Sequence, residues 1–173
     1  FDIDFKHTEP GRLYTHGELG RFLTRSFESF TRYFDMSPDK FVCFVCERLE
    51  PPVFSEKVQK DGLHIYFNLF VSHELHEILR NELLGFMSEF SAFREESDLD
   101  PSVILHNGLL ICGACKPNRE AYILTNTFEF TDKKYTLIPF LGSIFNQLEM
   151  TTIRTPADPT PLKEDAAKHL EIF

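Results

Sequence analysis

The sequence contains no tryptophan, no long apolar run and no excess of positive charge. A stretch of about 18 apolar residues would be needed to span a membrane, so we expect no membrane partner. The 173 residues include 18 Lys and Arg against 27 Asp and Glu, which gives a net charge of −9. A protein that coats duplex DNA through a basic face shows the opposite balance. The charge still permits an enzyme that holds nucleic acid through metal ions and a few local cations.

The chain also lacks an initiating methionine and a charged-then-apolar signal segment. A candidate functional strand begins at residue 2, so we expect the sequence to be an N-terminally truncated fragment of a longer protein. Its length corresponds to one domain. Three prolines between 155 and 161 predict a linker. The predicted organisation is therefore a core at 1–154, followed by a linker and a C-terminal helix at 155–173.

The sequence has only four cysteines, and these form two pairs, Cys43 with Cys46 and Cys112 with Cys115. Two such pairs superficially resemble a four-cysteine zinc site. The first pair, however, lies on a predicted strand, where residues three apart point to opposite faces. The intervening Phe-Val is also poor turn material. We therefore expect no zinc, and cysteines that pack as small apolar side chains in a reducing compartment.

The sequence is rich in phenylalanine, with 19 residues, and most of these are expected in the core. Thr15 and Glu18 form a capping-box pair ahead of apolar residues at helical spacing, which predicts a helix at 16–34. Ser72 is the predicted cap of a second helix. Strands are predicted at 1–5, 41–46, 63–70, 109–112, 122–130 and 135–141, and further helices at 143–150 and 163–170. This order indicates an α+β (or α/β) domain with a mixed sheet flanked by helices.

Two carboxylates, Asp2 and Asp4, lie two residues apart on the first predicted strand and therefore share one face. Neighbouring carboxylates repel and raise each other's pKa unless a cation lies between them, and Mg²⁺ accepts one or two carboxylates plus substrate phosphates. The alternative interpretation is a solvent-facing polar stripe. Asp100 taken alone fits a loop cap, but as a third acid it would complete a two-metal nucleotidyl-transfer site.

His64 lies near the start of another predicted strand, with Lys60 before it in the sequence. A lone histidine on a strand is usually structural. The functional interpretation is a donor to nucleotide phosphates, with Lys60 and Lys116 as nearby positive charges. On that interpretation we expect a partly exposed His64 that opens into the same cleft as the acids.

The segments Phe-Asp-Ile-Asp-Phe (1–5), Gly-Leu-His-Ile-Tyr-Phe (62–67) and Leu-Asp-Pro-Ser-Val-Ile (99–104), with Gly-Leu-Leu-Ile-Cys-Gly-Ala-Cys-Lys (108–116), occur in this order. This order resembles the archaeo-eukaryotic primase superfamily. It is most similar to the N-terminal primase domain of the primase–helicases of large eukaryotic DNA viruses, including the poxvirus and African swine fever virus types. The likeness covers residues 1 to about 125.

The resemblance implies a primase-polymerase catalytic core with an RRM-like sheet. It places Asp2, Asp4 and Asp100 on the catalytic, metal-binding acids. It also places His64 on the nucleotide-binding histidine and Lys116 on the basic residue after the third motif.

The sequence also departs from the family pattern at three positions. Gly62 stands where the family usually has serine, and Leu110 where the viral proteins often have arginine. His106 lies near the usual tyrosine or arginine positions. These departures bear on how the template and the nucleotide are bound.

The implied function is DNA primase activity: primers are made and extended on a single-stranded DNA template from NTPs or dNTPs, with two Mg²⁺ or Mn²⁺ ions. The resemblance also implies a C-terminal helicase domain in the parent chain and a place in the host cytoplasm, at the site of viral replication. Two alternatives remain at this point. One is a non-catalytic primase-like module that binds nucleic acid or a partner, and the other is a metal-dependent phosphoesterase.

Overall fold

The computed structural model describes residues 1–37, 41–49, 59–105, 109–117, 119–131, 134–138 and 159–170. Its strands are β1 (Asp2–His7), β2 (Val42–Glu47), β3 (Gln59–Phe67), β4 (Ile123–Thr131) and β5 (Lys134–Ile138). Its helices are α1 (His16–Phe30), α2 (His73–Met87), α3 (Ser102–Leu105) and α4 (Glu164–Leu170), with a 3-10 helix at Glu96–Asp98. The predicted helix at 143–150 and most of the predicted linker lie outside the described residues. No helix in these described ranges is long and apolar enough to cross a membrane.

The five strands form one sheet in the order β1-β3-β2-β4-β5, and each neighbouring pair is antiparallel. The α+β prediction is confirmed, but the described sheet is antiparallel rather than mixed. The reason is that β1 and β2 run in the same direction, as a β–α–β connection through α1 requires, while β3 inserts between them and pairs with both. This split β–α–β arrangement is the part of the predicted RRM-like sheet that carries the candidate site.

Local sequence signals set the two long helices. The Thr15 hydroxyl accepts a hydrogen bond from the Glu18 N–H (3.2 Å), and the Glu18 carboxylate accepts one from the Thr15 N–H (3.0 Å). This reciprocal pair satisfies N–H groups that the first turn of α1 leaves free. The Ser72 hydroxyl caps α2 by accepting from the Leu75 N–H at 3.3 Å. Both predicted helix starts are confirmed.

The two faces of the sheet are covered differently. Helices α1 and α2 bury a large core, rich in phenylalanine, against one face. A second, smaller cluster covers the opposite face, here called the loop face, and contains Cys46, Tyr66, Cys112, Tyr122 and Leu124. The strand predicted at 109–112 is wrong, because this segment is an irregular loop that contributes Cys112 to the smaller cluster. A short apolar run occurs both in strands and in loops of this kind, so its periodicity could not separate them.

The two cysteines of β2 point to opposite faces of the sheet, as predicted. Cys43 lies in the large core and Cys46 in the smaller cluster, and both are fully buried. The expected absence of zinc stays a prediction, and its premise, that Cys43 and Cys46 point to opposite faces, is confirmed.

Candidate nucleotide and metal site

The register of β1 against β3 assembles the first part of the candidate site. Asp2 lies directly opposite His64, and Asp4 directly opposite Gly62. Because side chains alternate along a strand, Asp2, Asp4 and His64 all belong to the loop face. Leu99 forms a bridge with Ile3 on the free side of β1, and the Asp100 N–H donates to the Asp2 carbonyl at 3.0 Å. The backbone therefore brings all three predicted acids to one edge of the sheet.

Asp2 is the acid whose electrostatics are most disturbed. Burial first, and then the Asp4 and Asp100 carboxylates, raise its pKa to about 6, although the positive charge of Lys116 acts in the opposite direction. Its Oδ1 atom is buried without a hydrogen-bond partner. A buried, unpartnered carboxylate oxygen among other acids is the environment that a divalent cation relieves. Asp2 and Asp4 thus fit a cation held by two carboxylates and substrate phosphates.

Asp100 has a different role in this structure. Its carboxylate accepts hydrogen bonds from the Ser102 N–H (2.8 Å) and the Ser102 hydroxyl (2.9 Å), at the start of α3. This is the loop-cap interpretation weighed from the sequence. In the part of the chain that the structure describes, no three His, Cys, Asp or Glu side chains are placed closely enough to hold a metal ion. The backbone of Asp100 is therefore hydrogen-bonded to Asp2, while the Asp100 carboxylate is bonded to Ser102 rather than facing Asp2 and Asp4.

His64 is buried, which corrects the expectation of a partly exposed side chain. It is 3% exposed, and the ring of Tyr122, the residue before β4, stacks on it. Its Nε2 atom lies 3.5 Å from Asp2 Oδ1. Burial lowers the His64 pKa to about 4, and nearby positive groups, including Arg48 and Lys116, act in the same direction. His64 is therefore a neutral imidazole at pH 7, and it faces the predicted acids.

Tyr122 is the site residue that sequence reasoning missed. Its ring stacks on the His64 imidazole with centroids 3.8 Å apart and an interplanar angle of 19°. The Arg48 guanidinium lies 4.8 Å from the centroid of the Tyr122 ring. No short motif links these positions; they meet because β2 pairs with both β3 and β4, which sets Cys46 opposite His64 on one side and Leu124 on the other.

The backbone of Tyr122 also closes the loop that carries Lys116. The Gly113 N–H donates to the Tyr122 carbonyl (2.6 Å), and the Tyr122 N–H donates to the Ala114 carbonyl (3.3 Å). Gly113 has φ +84°, a left-handed conformation that glycine adopts without strain. Lys116 is exposed on this loop, and its charge lowers the pKa of Asp2. The sequence signal for this loop was the Gly-containing turn itself.

The crowded surroundings of Gly62 explain why glycine stands there instead of the serine of the family pattern. A Cβ atom at this position would lie 2.6 Å from the Ile3 carbonyl oxygen, 2.9 Å from Asp4 Oδ1 and 3.2 Å from the Tyr122 hydroxyl. The space that the expected serine would need is filled by the Asp4 carboxylate and Tyr122. Lys60 lies two residues before Gly62, is exposed, and pairs across the sheet with Lys6.

The comparisons with known proteins agree with the resemblance found in the sequence. A family model described as the C962R protein N-terminal AEP domain matches residues 1–128, and AEP denotes archaeo-eukaryotic primase. The match runs from β1 into β4 and so includes every residue of the candidate site. No curated protein and no solved structure matches the chain.

Proposed function

The chain belongs to the archaeo-eukaryotic primase family of the C962R protein N-terminal domain, and on this premise we propose that it is a DNA primase. Family membership supports a primase-like nucleotidyltransferase in general. The finer proposal is that the domain makes primers and extends them on a single-stranded DNA template, using nucleoside triphosphates. The observation that carries it is the register that sets Asp2, with its raised pKa and unpartnered oxygen, directly opposite His64.

The acids would hold the metal ions, either Mg²⁺ or Mn²⁺. Asp2 and Asp4 are already side by side on the loop face, and Asp100 would join them by turning its carboxylate away from Ser102. When bound, two such ions activate the attacking 3′-hydroxyl and neutralise the triphosphate. By holding these ions, the acids would set where positive charge lies next to the α-phosphate.

His64 and the two lysines would hold the outer phosphates. A neutral imidazole has a single N–H to donate, and the ring atom on the side of the acids is Nε2, which lies 3.5 Å from Asp2 Oδ1 and would carry that N–H to a phosphate. Lys116 and Lys60 supply point charges from the loop and from β3. Because Tyr122 stacks on His64 and covers it, nucleotide access to the imidazole requires the Tyr122 ring to move aside.

The test is a synthesis assay on the purified protein. It is incubated with a single-stranded template, labelled NTPs or dNTPs, and Mg²⁺ or Mn²⁺, and labelled products are separated by length. We expect template-dependent products from the wild type, and none from Asp2→Asn or Asp4→Asn. Asp35→Asn is the matched control, because Asp35 is exposed and lies outside the site. Full synthesis by the Asp2 and Asp4 variants would refute the assignment of the acids.

A non-catalytic primase-like module is the second candidate, favoured by the bonds between Asp100 and Ser102 and by the burial of His64. It predicts DNA binding without synthesis under either metal. A labelled oligonucleotide incubated with the protein and metal, without nucleotides, tests for phosphoesterase activity in the same experiment. If the wild type shortens the oligonucleotide and Asp2→Asn does not, the result would indicate hydrolysis at the acids.

A further inference from the structure

Two lysines face each other across the first two strands of the sheet. Lys6 on β1 pairs directly with Lys60 on β3, and both side chains are exposed. Directly opposed residues have Cβ atoms about 5 Å apart, and like charges in such a pair are destabilising. Lys6 is two residues from Asp4, so it lies on the same face of the sheet as the acids. The protein thus accepts an unfavourable charge pair beside its candidate site.

A third cation comes from the strand on the other side of β3. Arg48 follows β2, and its Nη1 donates to the Lys60 carbonyl at 3.1 Å. The stacking of its guanidinium over Tyr122 holds it on the loop face, and its Nε is buried without a hydrogen-bond partner. Among the described residues, neither Lys6, Lys60 nor Arg48 forms an ion pair with a carboxylate. In the described part of the chain, the positive charges of Lys6 on β1, Lys60 on β3 and Arg48 directly after β2 therefore lack a neutralising partner.

The position of this group relative to the acids indicates what it binds. Two residues of antiparallel strand span about 7 Å, so Lys6, the first of the cations, lies about 7 Å beyond Asp4 along β1. Positive charge in excess, next to acids that hold metal-bound phosphate, is complementary to further phosphate oxygens. An oxyanion between Lys6 and Lys60 would also remove their repulsion.

We propose that Lys6, Lys60 and Arg48 form a phosphate subsite that extends the candidate site along β1 and β3. Its ligand is a phosphate chain, either the triphosphate tail of the bound nucleotide or the backbone of the nucleic-acid strand. The choice between these occupants rests on the proposed primase function, whereas phosphate binding by the three cations does not. The structure thereby adds Lys6 and Arg48 to Lys60, the one member that the sequence had pointed to.

The experiment compares Lys6→Gln, Lys60→Gln and the double variant with the wild type in three arms. The first arm measures the rise in melting temperature with inorganic tripolyphosphate, without metal. The second titrates a fluorescent single-stranded oligonucleotide at several salt concentrations, and the third titrates a nucleoside triphosphate with Mg²⁺. Lys134→Gln is the matched control, because Lys134 is an exposed lysine on β5 at the opposite edge of the same sheet.

We expect tripolyphosphate to stabilise the wild type and the Lys134 control, and the double variant much less. If the subsite binds the nucleic-acid strand, each single variant should raise the Kd for the oligonucleotide about three- to tenfold. If it binds the triphosphate tail, the Kd for the nucleoside triphosphate should rise by the same factor. If that occupant is the strand backbone, the log–log salt slope should also fall by about 0.7 per lysine removed. Loss in the nucleotide arm alone identifies the triphosphate tail instead. Lys6→Arg should retain binding, since it keeps the charge.

Folding is checked in the same material. Removing one of two opposed charges should leave the melting temperature without ligand unchanged or higher. Wild-type affinity and salt slope in all three arms for the double variant would overturn the inference. A wild type that binds tripolyphosphate through Lys6 but makes no primers would refute the proposed function and leave the subsite standing.

Discussion

Gly62 provides a sharp test of the site geometry, because a single added carbon atom meets three neighbours there. The nearest is the carbonyl oxygen of Ile3 at 2.6 Å, a backbone atom that moves only if β1 moves. The second, Asp4 Oδ1 at 2.9 Å, is the end of a side chain and can rotate away. Gly62→Ala should therefore push β1 from β3 and displace the Asp4 carboxylate. Overpacking of this kind costs about 1–3 kcal/mol of unfolding free energy.

The matched control is Gly85→Ala. Gly85 lies inside α2, and a Cβ there would meet no atom within 4 Å. Alanine in a helix interior is more stable than glycine by about 0.5–1 kcal/mol, so this variant should gain stability. The same glycine-to-alanine change is thus expected to lower the unfolding free energy at position 62 and to raise it at position 85. Urea unfolding followed by far-UV circular dichroism measures both, since the chain has no tryptophan to report by fluorescence.

The two variants should also separate in metal binding. Displacement of Asp4 should weaken Mn²⁺ binding in Gly62→Ala, while Gly85→Ala should bind like the wild type. A Gly62→Ala protein as stable as the wild type would refute the described contact between β1 and β3. A stable Gly62→Ser protein with higher nucleotide affinity would show that the serine of the family pattern fits here after all.

Three further predictions concern other features of the site and core. Tyr122→Ala should lower the unfolding free energy by about 3–5 kcal/mol. Tyr122→Phe keeps the ring on His64, so it should lower the unfolding free energy by less than about 1.5 kcal/mol and retain nucleotide affinity. Equal losses of stability in the two variants would contradict the stacking argument. The Asp2 pKa is raised from 3.8 to about 6 by burial, so its contribution to stability is present below about pH 4 and is lost as the pH rises through 6. Metal-free Asp2→Asn should lack that decline, and parallel curves for the two proteins would contradict the burial. A thiol reagent should modify the exposed Cys115 rapidly in the native protein. Cys43, whose thiol pKa is raised by burial, should react only after unfolding. Rapid reaction of Cys43 in the native protein would place it outside the core.

The features that the sequence determined are local ones. The capping box of Thr15 and Glu18 specifies the start of α1 because both partners lie within one turn. The two-residue spacing of Asp2 and Asp4 places them on one face of any strand, whatever that strand pairs with. The order of the short motifs was specific enough to indicate the primase family, which the family match then confirmed.

Only the tertiary structure decided how these pieces meet. The pairing of Asp2 with His64 and of Lys6 with Lys60 depends on the register of two strands about sixty residues apart in the chain, and register follows from core packing rather than from either strand alone. The contact of Cys112 with the smaller cluster and the stack of Tyr122 on His64 were equally invisible in the sequence, since a short apolar run by itself does not specify whether it forms a strand or a loop. Burial of His64 likewise arises from a covering segment that is remote in sequence, and the neutral state of its imidazole at pH 7 follows from that burial.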